Sequence, residues 1–559
     1  MRSPSLLTLV LLLSGCSAPK PPPPELPPPS ASSGSKEDIA PEGATGFTDR
    51  DTVTSGHFMV ATANPYATKA GLAMLERGGS AVDAAISAAL VLTLVEPQSS
   101  GIGGGAFMLH HDAEHRRLRA YDGRETAPAA ATPEMFMKGG KPKDFFDAVI
   151  GGLSVGVPGQ LRMLELAHDR EGKIAWKDLF TPAIELCEKG FELSPRLRAL
   201  LARDTILPTL EPAASYFYRH GKPKPVGTML KNPGRLSPDD MTAYEAKERD
   251  AICMDYRGHQ VCGMPPPTSG GITTLQILGL LERFDLKAEE AGSPLEVHLF
   301  AEAGRLAYAD RGRYLADPDF VTLPTGLLDD GYLAARSQLI SPERAMTEAE
   351  PGEPPGLSGE QAAWADDDAI ELPSTSHVVV VDGEGDVVSM TASIETAFGA
   401  HVMVKGFLLN NELTDFSFTP EQDGRKVANR VEPGKRPRSS MAPIIVRDGE
   451  GRFSLAVGSP GGSRIIPYVA RTLIGILDHG LDPQAAIARP NFGNRGGPTE
   501  IERLPGQEAW VSATEAALKA KGHTVKIGDM NSGLQAIQRT DEGYRGGADP
   551  RREGLVMGE

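Results

Sequence analysis

Three small hydroxyl residues, Ser374-Thr375-Ser376, stand at the end of an acidic run and are followed by His377 and four valines, in "DDDAIELPSTSHVVVVDGEGDVVSMT" from Asp366. The valines read as a buried strand, whereas the residues before them look like linker. A linker that passes through Ser/Thr into a core strand suits a chain that is cut there. If the bond between Ser374 and Thr375 is broken, Thr375 becomes a chain terminus on a rigid strand. Its free amine then sits beside its own hydroxyl, and an α-amine titrates near about 7.7–8.0, close to working pH. Such an amine takes the hydroxyl proton without help from a histidine. Before the cut, the same hydroxyl can attack the Ser374 carbonyl. The competing reading is an ordinary strand start.

The surrounding sequence supplies the elements that must hold this strand. "HVVVVD", a "GEGD" turn and "VVSMTASI" read as a hairpin buried on both faces. "KGFLLNN", "APIIVRD" and "FSLAVGS" are further strand candidates, and "RIIPYVARTLIGILDHG" is a helix. Upstream, "NPYATKAGLAMLERGGSAVDAAISAALVLTLVEPQSSGIGGGAFML" reads helix, glycine break, apolar helix, loop, strand. The loop Gly101–Ala106 fits a degenerate G-x-G-x-x-A pattern, but a helix precedes it and a strand follows it. Dinucleotide binding needs strand, turn, helix, so that reading fails. Residues 150–310 look mainly helical. Residues 340–373 are acidic and rich in Pro and Gly, and read as a mobile linker.

At 559 residues with 40% hydrophobic side chains, the chain can bury a large core. A formal net charge of −17 and the lack of any Lys/Arg-rich block argue against nucleic acid as a partner. No His/Cys cluster has metal-ligand spacing, so no metal is expected. Residues 1–15 read as an export signal: Arg2, then an apolar run from Leu6 to Leu13 too short to cross a bilayer. Leu13-Ser14-Gly15-Cys16 resembles a bacterial lipobox, which implies lipidation of Cys16. An ordinary secretory signal is the alternative. The Pro-rich stretch over 16–46 reads as an extended tether, with the folded part starting near Phe47. In "AICMDYRGHQVCGM", a two-residue Arg257-Gly258 loop sets Cys253 opposite Cys262 as a close, non-hydrogen-bonded pair suited to a disulfide. Two free thiols are the alternative.

The motifs "GGSAVDAA", "GIGGGAFML", "DGRETAP", "MPPPTSGG", "STSHVVVVDGEGDVVSMTASI", "FLLNNELTDFS", "KRPRSSMAPIIV", "SPGGSRI" and "GADPRREG" run in order over roughly 55–555. In these the chain resembles the γ-glutamyltransferase family of N-terminal-nucleophile hydrolases. The resemblance implies a four-layer αββα sandwich built from two autocleaved pieces of one precursor, 47–374 and 375–559. It implies a small-molecule γ-glutamyl substrate and no cofactor; on the lipobox reading of Cys16, a membrane is met only through the lipid anchor, on the periplasmic side. Thr375 matches the family's nucleophile, and Ser376 and His377 then shape the strand entry. Ser393 falls where a second hydroxyl orients the nucleophile. Gly461 and Gly462 match the oxyanion hole. Arg124, Ser439 and Ser440 match groups that grip the substrate α-carboxylate, and Glu412 and Asp415 match acids that hold its α-ammonium. Two departures stand out. Glu395 replaces an asparagine of the better-known members, and the segment 415–435 looks shorter than their lid. Both put the donor in question: glutathione by default, poly-γ-glutamate or a glutaryl (cephalosporin-type) amide otherwise. The rival from another class is a processed, inactive surface-binding lipoprotein.

Overall fold

The computed structural model describes residues 46–232, 244–357, 359–367, 369 and 371–559. The export signal, Cys16 and nearly all of the tether lie outside the described residues.

Two antiparallel seven-stranded sheets form the centre. In one, the strands run in the order Lys247–Arg249, Arg117–Gly123, Gly105–Asp112, Val387–Ser393, Ser376–Val381, Met59–Thr62, Leu555–Gly558. In the other the order is Val53–Ser55, Gly543–Ala548, Gln535–Thr540, Phe453–Gly458, Ile444–Arg447, His259–Gly263, Ile252–Tyr256. The valine run explains how they stack. Alternate side chains of a strand point to opposite faces. Val379 and Val381 pack between the sheets with Val261, Ile445, Leu455 and Ile537, and this core continues into the helices Gly270–Leu281, Pro294–Tyr314 and Ile465–Leu477. Val378 and Val380 face the other way, onto the helices Pro65–Glu76, Ala81–Val95 and Gln160–Glu171. The layers are therefore helix, sheet, sheet, helix, the αββα sandwich implied by the motifs. The tightness of the hairpin follows from its register, Ser376 opposite Ala392 through Val381 opposite Val387.

Local chemistry sets the boundaries. Ser80 and Asp83 form a reciprocal capping box that starts the apolar helix after the glycine break. Arg257 and Gly258 both have positive φ, as a tight hairpin loop requires, and Cys253 and Cys262 lie opposite each other with their sulfurs bonded and Cα atoms 4.1 Å apart.

Two expectations change. "KGFLLNN" yields only a two-residue strand, Phe407–Leu408, because the next residues turn to place Asn410 and Asn411 in buried hydrogen bonds. The stretch 340–373 is not a free linker over its last part. Ala365 bridges Val427, Asp367 pairs with Arg438, and Glu371 and Leu372 are buried. Its acids find buried arginines, a tertiary match that local composition does not encode. Among the described residues no helix is long and apolar enough to cross a membrane.

Candidate active site

Thr375 sits at the head of the strand Ser376–Val381, at the end of the ladder where Ser393 closes the paired strand. Its hydroxyl donates to Ser393 Oγ at 3.3 Å, and Ser393 Oγ also accepts the Glu395 amide at 2.8 Å. Ser374 is tied down by a 2.7 Å bond from its hydroxyl to the Gln98 carbonyl. The chain is continuous through Ser374-Thr375, and Thr375 has φ 133°. A β-branched residue is strained there, by an amount of order 1–3 kcal/mol. The strain sits at the residue that follows the bond proposed for cleavage.

His377 is no rival base. Burial drives its pKa down to about 3, and Nδ1 lies 2.9 Å from Thr391 Oγ1. It packs against Gly458, where any Cβ would strike the ring. The glycine loop beneath Ser393 has a packing role too: a Cβ on Gly104 would lie 2.0 Å from the Ser393 carbonyl oxygen.

The hydroxyl of Thr375 opens on a small cavity lined by Arg124, Glu371, Ser393, Glu395, Asp415, Ser439, Ser440 and Gly462, with room for about one water. Most of the residues singled out in the sequence converge here. Arg124 is fully buried, and its fork is already used: one Nη meets Glu412 and the other Asp415, while Nε and Nη2 reach the Pro437 and Arg438 carbonyls at 3.2 and 2.9 Å. It therefore has no bidentate face free for a substrate carboxylate, contrary to the simple expectation. Glu125 stands 3.7 Å from the same guanidinium. Oxygens of Glu395, Glu412 and Asp415 lie within 4.8 Å of one another, and Glu412 Oε1 and Asp415 Oδ1 are buried without a hydrogen bond. Burial first, then mutual repulsion with Asp415 and Glu412, raises Glu395 well above the usual carboxylate range. Glu125 and Asp415 are raised strongly as well, chiefly by burial. Four acids crowd one guanidinium, and the raised pKa values mean that part of their charge is neutralised by protons.

Glu395 does more than line the pocket. Its carboxylate accepts the Leu372 amide at 3.2 Å. Ser439 orients the backbone, its Oγ accepting the Met441 amide at 3.1 Å and its carbonyl the Ser269 amide at 2.7 Å. The Ser440 hydroxyl bonds to Glu371 and accepts from Arg311 Nη2 at 2.8 Å. Gly461 and Gly462 have φ 140° and 55°, and a Cβ on Gly462 would lie 2.6 Å from the Leu372 carbonyl oxygen. The Glu371–Leu372 backbone thus lies against Gly462. Glu371, Arg311, Arg438 and Glu125 were not singled out in the sequence. The signal for Glu371 was there, as the acid nearest the hydroxyl run, but its partner Arg311 lies in a distant helix.

The profile of the family described as Gamma-glutamyltranspeptidase matches residues 67–237 and 231–559. The chain belongs to the γ-glutamyltranspeptidase family. It is 35% identical over 547 residues to a glutathione hydrolase proenzyme of Bacillus subtilis (strain 168), covering 89% of this chain and 91% of that one. The corresponding proenzyme of Escherichia coli (strain K12) is 34% identical, with 88% and 90% covered. An acylase ACY 1 proenzyme of Pseudomonas sp. (strain SE83) is 34% identical, with 88% and 91% covered. A crystal structure of cephalosporin acylase from Bacillus halodurans superposes with a TM-score of 0.78, covering 93% of this chain and 99% of that one. At 24% identity it speaks for the fold alone. Like other members of its family, the chain is an enzyme made as a proenzyme, and acylases are among its relatives.

Proposed function

We propose that the protein cuts itself between Ser374 and Thr375 and that the new N-terminal threonine cleaves γ-glutamyl amides. The observation that carries this is the strained Thr375, its hydroxyl on Ser393 Oγ, facing a cavity shared with Arg124, Asp415, Ser440 and Gly462. In the first step Thr375 Oγ1 attacks the Ser374 carbonyl carbon, the C–N bond breaks, and the acyl group moves from nitrogen to oxygen. Water then hydrolyses the ester, leaving a carboxylate on Ser374 and a free amine on Thr375. In the mature enzyme that amine takes the hydroxyl proton as Oγ1 attacks the donor γ-carbonyl. The Gly461-Gly462 turn supports the oxyanion. The amine of the donor's other half leaves with a proton, and water or a second amine takes the γ-glutamyl group from Thr375.

The acid cluster supports a donor bearing an α-ammonium, glutathione first among them. A glutaryl amide has no ammonium to offset Glu395, Glu412 and Asp415, so the charge balance weighs against the acylase reading. The likeness to named acylases keeps it as the second reading. Retention of every catalytic group weighs against a processed but inactive binding protein. Lipid attachment at Cys16 on the periplasmic side remains part of the proposal, supported by the sequence of the first sixteen residues.

Purified protein should run as two bands on a denaturing gel, the smaller beginning Thr-Ser-His-Val, and should turn over a chromogenic γ-glutamyl anilide. An active preparation that shows one intact band would sink the mechanism.

A further inference from the structure

We infer that Arg196, paired with Glu96, is a positioning residue for self-cleavage: it fixes the turn 96–99, whose Gln98 carbonyl holds Ser374, the residue that offers its own carbonyl to Thr375. The inference rests on the proposed cleavage before Thr375.

The Gln98 carbonyl is where the strands of this network meet. It accepts the Ser374 hydroxyl at 2.7 Å and the Phe398 amide at 3.2 Å. The neighbouring Ser99 carbonyl accepts the Ile394 amide at 3.3 Å. Ile394 follows Ser393, whose Oγ receives the Thr375 hydroxyl. One short turn therefore grips both the residue before the nucleophile and the backbone beside the hydroxyl that orients it. Ser374, Gln98 and Ser99 are all buried, so water does not compete for these bonds. Attack on a carbonyl depends steeply on the distance and angle at which it is presented, and here the turn sets both from the Ser374 side.

The turn needs help to hold its shape. It follows the helix Ala81–Val95, where the Glu96 amide closes the last helical bond on the Leu92 carbonyl at 2.8 Å and the Glu96 carbonyl takes the Ser99 and Ser100 amides at 2.9 and 3.3 Å. A helix end of this kind frays unless side chains pin it. Glu96 does so from within: its Oε2 accepts from Gln98 Nε2 at 2.7 Å and from the Ser99 hydroxyl at 3.4 Å. Arg196 does so from outside. It belongs to another helix, Pro195–Arg203, pairs through Nη1 with the same Glu96 oxygen, and reaches Ser99 Oγ from Nη1 and Nη2 at 3.3 and 3.4 Å. Its own amide is held by Glu553 Oε1 at 3.0 Å. Both members of the pair are 1% exposed, and a buried guanidinium and carboxylate stay where they are because neither can be solvated apart. None of Glu96, Gln98, Ser99 and Arg196 lines the cavity on which Thr375 opens. Their reach to the reaction runs through Ser374, on the side of the bond to be cut.

The test follows freshly synthesised full-length chain as it converts to two pieces, by pulse labelling and denaturing gel. Arg196→Lys keeps the charge but loses the fork that spans Glu96 and Ser99, and Ser374→Ala removes the hydroxyl that the turn holds. Each should slow conversion by about tenfold or more. The double variant should be no slower than Ser374→Ala alone, because Arg196 acts through that hydroxyl. A general loss of packing would instead make the two effects multiply. Melting of Arg196→Lys in the uncleavable Thr375→Ala background reports separately on folding. If Arg196→Lys does not fold, Glu96→Gln, which keeps the shape of the side chain, takes its place in the same cycle. Wild-type conversion rates in the Arg196 or Glu96 variant, or effects that multiply with Ser374→Ala, would overturn the positioning role while leaving the cut itself intact. A wild type that stays one band would refute the cut, and the positioning role with it.

Discussion

Two buried arginine clusters meet at the Thr375 cavity, and they differ in where their acids come from. Around Arg124, the acids Glu125, Glu412 and Asp415 belong to parts of the chain held by the sheets and their connections, and Glu395 adds a fourth. Around Arg311 and Arg438, the acids Glu371 and Asp367 both lie within nine residues of the proposed cut. The first cluster crowds more carboxyl groups than one guanidinium can balance, and burial raises their pKa values so that part of the charge is neutralised by protons. The second is balanced only while the precursor is whole. If the chain is cut at the proposed bond, the acids of the second cluster lie on the piece that ends there, whereas those of the first do not.

The largest effect should come from preventing the change. Thr375→Ala removes both the cleaving hydroxyl and the nucleophile, so one uncleaved band is expected, with turnover of a γ-glutamyl anilide down by at least about 10⁴-fold. Cleavage in that variant would show that another group makes the cut.

The second experiment separates the clusters by stability. Asp367→Asn strips a partner from buried Arg438, which should destabilise the uncleaved chain by about 3 kcal/mol. In the Thr375→Ala background, thermal melting should show this loss, whereas the same substitution in cleaved protein should change melting little. An equal loss in both forms would mean that the segment stays bound after cleavage, and the contrast between the clusters would collapse.

Arg124→Lys keeps the charge but loses the fork that orients Glu412 and Asp415. With autocleavage intact, kcat/KM on γ-glutamyl donors should fall about 10²-fold, or roughly 3 kcal/mol. An unchanged rate would remove Arg124 from the substrate site.

Glu395 gives the smallest effect and a pH signature. Its folded pKa lies above its unfolded value, so the folded protein holds the proton more tightly. The associated stability is complete below about pH 4 and is lost as pH rises through the raised pKa. Glu395→Gln in the Thr375→Ala background should therefore gain stability over its parent at pH 8 and lose that advantage toward pH 4. In cleaved enzyme, Glu395→Asn should lower KM for glutathione by about tenfold if roughly 1.4 kcal/mol of repulsion is removed. A variant that binds glutathione no better at pH 6 or pH 8 would make Glu395 a support for Leu372 and nothing more.

Much of this was written locally. The four valines mark a strand buried on both faces because every side chain is apolar regardless of pleat. The Arg257-Gly258 loop fixes which residues face each other in its hairpin, and so sets Cys253 opposite Cys262. Motif order was enough to identify the family, the sandwich and the residues that gather at Thr375. What the sequence did not carry was pairing between distant charges. Residues 340–373 look like linker because acids, Pro and Gly are what linkers contain, and nothing local says that Glu371 meets Arg311 or Asp367 meets Arg438. Likewise "DGRETAP" announces an arginine but not that Glu412 and Asp415 consume its fork. Backbone propensity and hydrophobic period act over a few residues, so the chain by itself determined the strands, the turns and the hydroxyl run at the strand entry. Ion pairs between residues 60 to 291 positions apart exist only once the layers have packed, so the tertiary structure alone decided which acid meets which buried arginine.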